Sequence, residues 1–139
     1  MANQKHLWAP MALVLAVLGL VGFLFIDTAR EKEIVFEADR LVIPGVFGAI
    51  VRRDQVESVT LVERIPKILL RTNGASVGHI RFGLFKLEGT EKAHLTVMDK
   101  DNPPFVLIAS NNRALYINFA QKEKTLQLFE EIRAWARGK

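Results

Sequence analysis

Side chains able to do chemistry are few and scattered in this chain. Histidine occurs at positions 6, 79 and 94, and serine at 58, 76 and 110. A metal centre or a general base needs a second ligand or titratable group at a fixed offset, such as two histidines one helical turn apart. Neither His79 nor His94 has one in sequence. Each falls on the strand face opposite its apolar neighbours, so both are expected at the surface. No serine stands beside a plausible base. Asp99-x-Asp101-Asn102 opens like a calcium loop, but Pro104 falls where the sharp turn needs glycine, and Ser110 falls where a bidentate glutamate is needed. Phosphate-cradling glycine loops, nucleophile elbows and zincin helices are missing from the sequence. Without cysteine there is neither a disulfide framework nor a thiolate metal site. The reading is therefore no catalytic residues, no cofactor and no metal: not an enzyme. What remains is a basic cluster around residues 66–78. Arg64, Lys67, Arg71 and Arg81 surround Asn73-Gly74, and these six residues are the candidate surface for an anion or a partner, since loops on rigid sheets carry binding.

The element that positions all of this is Leu7–Ile26, 20 residues without an ionisable side chain. As a helix it is about 30 Å long, which matches the hydrocarbon core of a bilayer. A cleavable signal peptide fits less well. The apolar run is long for one, and the exit Phe25-Ile26-Asp27-Thr28-Ala29-Arg30 lacks correctly spaced small residues. The expected organisation is a tail at 1–6, a transmembrane helix at 7–26, a juxtamembrane linker at 27–32 and one soluble domain at 33–139. Counting only Lys and Arg, Arg30, Lys32 and Arg40 outweigh Lys5 and favour a cytoplasmic domain. Against that, Asp27, Glu31 and Glu33 dilute the flank, and the short basic tail resembles a signal anchor. The side taken is extracytoplasmic.

Net charge is +4, of which Lys5 supplies one, leaving +3 for the rest. Acids interleave with bases throughout, which argues against nucleic acid as a partner. From residue 34 the sequence alternates in short runs: 34–38, 41–43, 47–51, 56–62, 80–84, 93–98, 105–109 and 115–119 are strand-like. Residues 105–109 are apolar throughout, as in a strand buried on both faces or paired centrally. Residues 66–78 look irregular. Thr72-Asn73-Gly74 is expected to turn, and Ile68-Leu69-Leu70 to extend a strand or tuck beneath the loop. Then the period changes. Leu126, Phe129, Ile132 and Ala136 mark one amphipathic helix of about 16 residues, with Asn118 and Gln121 resembling a capping box. The expectation is mainly β, with about seven short strands and a closing helix.

Leu41-x-Ile43-x-Gly45-x-Phe47-Gly48, Val56-Glu57-Ser58-Val59, Pro66, Arg71-Thr72-Asn73-Gly74, Gly78, Gly83-x-Phe85 and Tyr116-x-Asn118 with Lys124-Thr125 recur in that order. The chain over roughly 33–137 resembles the bacterial pleckstrin-homology (PH) domain family in its membrane-attached form. The resemblance implies a seven-stranded barrel or sandwich of two antiparallel sheets, capped by a C-terminal helix, at a bacterial cell membrane. It implies a binding or assembly role, with a protein partner or self-association near the bilayer, or alternatively a lipid or small-ligand sensor. The first hairpin turn, Ala38-Asp39-Arg40, carries a single base, so phosphoinositide binding does not carry over.

Overall fold

The computed structural model describes residues 5–138. Residues 1–4 of the expected tail, and residue 139, lie outside the described residues. Helix α1 (Lys5–Ala29) contains the whole apolar run, and none of Leu7–Ile26 is buried by protein. A helix that is apolar on every side and uncovered needs a non-aqueous surrounding. One apolar helix near the N-terminus marks a membrane anchor or a signal sequence.

Among the described residues nine strands follow, in two open sheets, where the sequence pattern suggests about seven. The small antiparallel sheet runs β1 (Val35–Phe36), β2 (Arg40–Ile43) and β3 (Ala49–Arg52), in that order. A single 3-10 turn, Arg53–Gln55, leads into β4 (Val56–Val62). Strands β5 (Ile68–Val77), β6 (Ile80–Leu87), β7 (Thr90–Val97), β8 (Phe105–Ser110) and β9 (Arg113–Asn118) complete a sheet ordered β4-β8-β9-β7-β6-β5. Strands β7 and β9 pair parallel, and the other neighbours pair antiparallel. Neither sheet closes on itself. The β8–β9 hairpin turns on Asn111 and Asn112, both at positive φ, as a two-residue turn requires. The chain ends in α2 (Lys122–Arg137).

Each face of the larger sheet carries a hydrophobic cluster. On one face Val56, Val106, Ile108, Leu115 and Ile117 meet Leu41, Ile43 and Val51 of the small sheet, together with Leu128, Ile132 and Trp135 of α2. On the other, Phe85, Leu87, Ala93, Leu95, Val97, Phe105 and Tyr116 pack together, with Val62 and Ile65 against them. Strand β8 lies between β4 and β9, which explains its unbroken apolar run.

Four expectations are corrected here. Residues 68–77 are a ten-residue edge strand. Thr72-Asn73-Gly74 lies inside it, and the turn falls at Gly78, φ +56°. Gly74 instead allows close approach. It stands opposite Gly83, and a Cβ on it would lie 2.2 Å from the Phe82 carbonyl oxygen. The buried face of α2 is Thr125, Leu128, Ile132 and Trp135, while Leu126 is 38% exposed. Thr125 turns inward because its Oγ1 accepts from the Phe119 amide at 2.9 Å, and Trp135 because its Nε1 donates to the Glu37 carbonyl at 2.7 Å. The N-cap residue Gln121 makes no side-chain capping bond, so the capping-box reading fails.

His94 is the fourth correction. It is buried, not exposed, because the small sheet covers the face it shares with Thr96. Its Nε2 lies 2.8 Å from the Phe47 carbonyl oxygen. A carbonyl only accepts, so Nε2 carries the proton and donates. Burial pushes the imidazole below its ordinary value of 6.5, partly opposed by the Phe47 carbonyl. The folded state thus resists a proton that the unfolded chain takes up freely. Stability contributed by neutral His94 is complete above about pH 6.5 and falls as pH drops below it, down to the lower folded value. Thermal unfolding in detergent across this range should show that decline, and His94→Gln should flatten it. An unchanged slope in the variant would assign the decline to other groups.

Candidate functional site

The two edges of the larger sheet, β4 and β5, are joined by residues 63–67. This crossing forms one wall of a depression of about 300 Å³. Arg64 and Lys67 enter it from the crossing, Arg81 from β6 and Lys100 from the β7–β8 connection; Ile65, Pro66, Ile68 and Phe105 supply apolar lining. Glu63 and Asp101 are its acids, so four cations face two anions. The structure therefore brings together Arg64, Lys67 and Arg81 of the sequence-based cluster. Arg71, Asn73 and Gly74 stand apart from the depression, along β5.

The four cations are held differently. Arg81 is pinned by its own turn, donating from Nη1 to the carbonyls of Gly78 at 2.6 Å and Ile80 at 2.8 Å. Lys100 Nζ reaches Asp101 Oδ1 at 3.3 Å. Among the described residues, no side-chain hydrogen bond or ion pair engages Arg64, Lys67 or Arg71. Two long, solvated cations beside two positioned ones suit a diffuse or multivalent anion better than one small ion in a rigid cradle.

Lys100 was absent from the sequence-based cluster. It arrives because residues 99–102 are fastened to β9 and to the β5–β6 turn. The buried Asn118 donates from Nδ2 to the carbonyls of Asp99 at 2.6 Å and Asn102 at 3.0 Å, and its Oδ1 accepts from the Asp99 amide at 3.2 Å. The Lys100 amide donates to the His79 carbonyl at 2.9 Å. The same fastening places His79 Nδ1 2.7 Å from Asp101 Oδ2 and 3.9 Å from Asp99 Oδ1. Among the described residues, these three side chains form a group whose geometry could hold a metal ion, a proximity their sequence spacing conceals. Their carboxylates are already engaged. Asp101 meets His79 and Lys100, and Asp99 Oδ1 accepts from the Asp101 amide at 2.9 Å. His79, then Lys100, holds the Asp101 carboxyl below its usual range.

Beside the depression, the start of β5 is bare. Ile68, Leu69 and Leu70 are 36%, 52% and 58% exposed. Among the described residues, no other element covers these three side chains to the extent that the sheet interior is covered. Register irregularities lie between Ile68 and Leu70 and between Arg71 and Asn73. From Asn73 to Val77 the pairing with β6 is regular, and the larger sheet ends at this strand.

The segment between α1 and β1 is docked on the domain. Glu31 pairs with Lys124 of α2 at 3.1 Å, and Lys32 Nζ lies 5.6 Å from the centre of the Phe82 ring. No protein-family model, curated protein or solved structure matches this chain.

Proposed function

We propose that this chain is a single-pass, membrane-anchored, non-enzymatic binding module whose β-domain takes a protein partner close to the bilayer. The observation that carries the reading is α1: a wholly uncovered apolar helix, separated by five residues from the first strand. Those residues span at most about 18 Å when extended, and the Glu31–Lys124 pair draws them against α2. A domain tethered so tightly works on what lies beside the membrane.

The partner surface we infer is the outer part of β5, residues 73–77, with Asn73 exposed at its start and Gly74 next to it. An edge strand leaves a row of backbone donors and acceptors open to an added strand. The regular register of this half presents them in line. The fold we take to be an opened relative of the PH-like barrel. Two packed sheets and the closing helix α2 support that reading, as does the motif order in the sequence.

A photo-crosslinking side chain at Asn73 in the full-length protein, in native membranes, tests the surface. A discrete adduct is expected at Asn73, and none from the same probe at Gln127 on α2. Replacing Ser76 by glutamate should diminish it. An adduct pattern identical at both positions, or unchanged by that replacement, would remove β5 as the contact.

A further inference from the structure

We propose that the basic depression and the bare start of β5 form a lip that lies on an anionic lipid surface. In this arrangement the cations sit at headgroup phosphates, and Ile68, Leu69 and Leu70 enter the interfacial layer. The inference rests on α1 spanning the bilayer, but it assigns a different surface from the protein-binding edge.

Three observations favour lipid as the occupant. The first is the pairing of chemistries. Three consecutive exposed aliphatic residues are bracketed by Arg64, Lys67 and Arg71, with Arg81 and Lys100 behind them. An apolar run ringed by basic side chains is what an anionic interface accepts: the apolar part enters while the charges stay at the phosphates. The second is the backbone. A partner strand needs a straight edge, and β5 is irregular at both Ile68/Leu70 and Arg71/Asn73. Lipid makes no such demand. The third is the tether. With α1 ending at Ala29 and β1 starting at Val35, the domain cannot leave the bilayer. Contacts too weak to recruit a free protein then suffice to orient this one.

The chain has no cysteine, so one introduced thiol carries one environment-sensitive fluorophore. The full-length protein would be reconstituted in phosphatidylcholine vesicles with and without phosphatidylglycerol, and labelled separately at Leu69→Cys, Leu126→Cys and Ala16→Cys. Ala16 lies inside α1 and reports the anchor, and Leu126 lies on the exposed side of α2. With phosphatidylglycerol present, the Leu69→Cys label should shift to the blue. Its quenching by lipid-borne nitroxide should rise roughly threefold or more, and fall back at high salt or with Arg64→Glu and Lys67→Glu together. Leu126→Cys should stay aqueous throughout. An aqueous spectrum at Leu69→Cys while Ala16→Cys reports hydrocarbon would overturn the lip and leave the anchor standing. A blue-shifted label that lipid nitroxide does not quench would assign the surface to protein. An aqueous Ala16→Cys would overturn anchor and lip alike.

Discussion

Replacing Asn118 by alanine should destabilise the domain by about 3 kcal/mol and release the segment that carries Lys100 and Asp101. Asn118 is fully buried and its side chain makes three hydrogen bonds, all to backbone groups of residues 99–102. Each such bond contributes about 1 kcal/mol net, and a carbonyl left without a donor costs about 1–3 kcal/mol more, which applies to Asn102, since the Asp99 carbonyl keeps the Asn102 amide. Asn118→Asp sharpens the test. The carboxylate keeps the acceptor for the Asp99 amide but loses both donors, and sets its charge against the carbonyls of Asp99 and Asn102. It should be at least as damaging at neutral pH and partly recover under acid conditions, where a protonated carboxyl donates once again. Chemical denaturation in detergent gives the stability loss. Hydrogen exchange at the Lys100 and Asn102 amides, which donate to the carbonyls of His79 and Asp99, reports the local release. A loss below about 1 kcal/mol with unchanged exchange would mean that other contacts hold this segment. The effect reaches the candidate site, because Lys100 and Asp101 line the basic depression and Asp101 meets His79.

Where local pattern decides, the sequence foretells the fold closely. Strand β4 covers the same residues, 56–62, in both readings, since its β-branched run begins after a polar turn. Helix α2 has its expected 16 residues because the change of period near Lys122 is abrupt. Failures occur where the deciding partner is distant. His94 alternates with apolar residues as an exposed side chain would, but the covering layer comes from residues 35–52, and alternation along β7 holds no record of it. Gly74 follows Asn73 as in a turn, but a glycine serves positive φ and close backbone contact alike. Only the strand opposite tells which, and that strand supplies Gly83.

The candidate site divides along the same line. Arg64, Lys67 and Arg81 are near enough in sequence to be read as a cluster, and the structure does bring them to one depression. Lys100 lies far from them in sequence, and nothing local ties it to that cluster. The β5–β6 turn and the β7–β8 connection meet only through pairing across the sheet. Ile68-Leu69-Leu70 reads in sequence as either a strand extension or a run tucked beneath the loop. That it is bare is not legible there, because exposure depends on which edge of the sheet β5 occupies.

Gly83→Ala is the substitution expected to damage β5 most. Gly83 sits at φ +110°, where an L side chain is strained, and an added Cβ would lie 2.4 Å from the Asn73 carbonyl oxygen and 2.6 Å from the Gly74 Cα. The strain contributes about 1–3 kcal/mol. The overlap is with backbone, so it can be relieved only by moving β5 off β6, with further loss of about 1 kcal/mol for each ladder bond broken. A total near 4 kcal/mol follows, concentrated in β5, with faster amide exchange there than in β8 or β9. Gly89→Ala separates the two contributions. Gly89 is also at positive φ, +79°, but a Cβ there meets nothing within 4 Å. It should show the strain alone, about 1–2 kcal/mol. If the two variants lose equal stability, close approach between Gly74 and Gly83 is not what holds the edge strand. If Gly83→Ala alone frees β5 while the rest of the domain stays protected, both surfaces assigned to that strand depend on one pair of facing glycines.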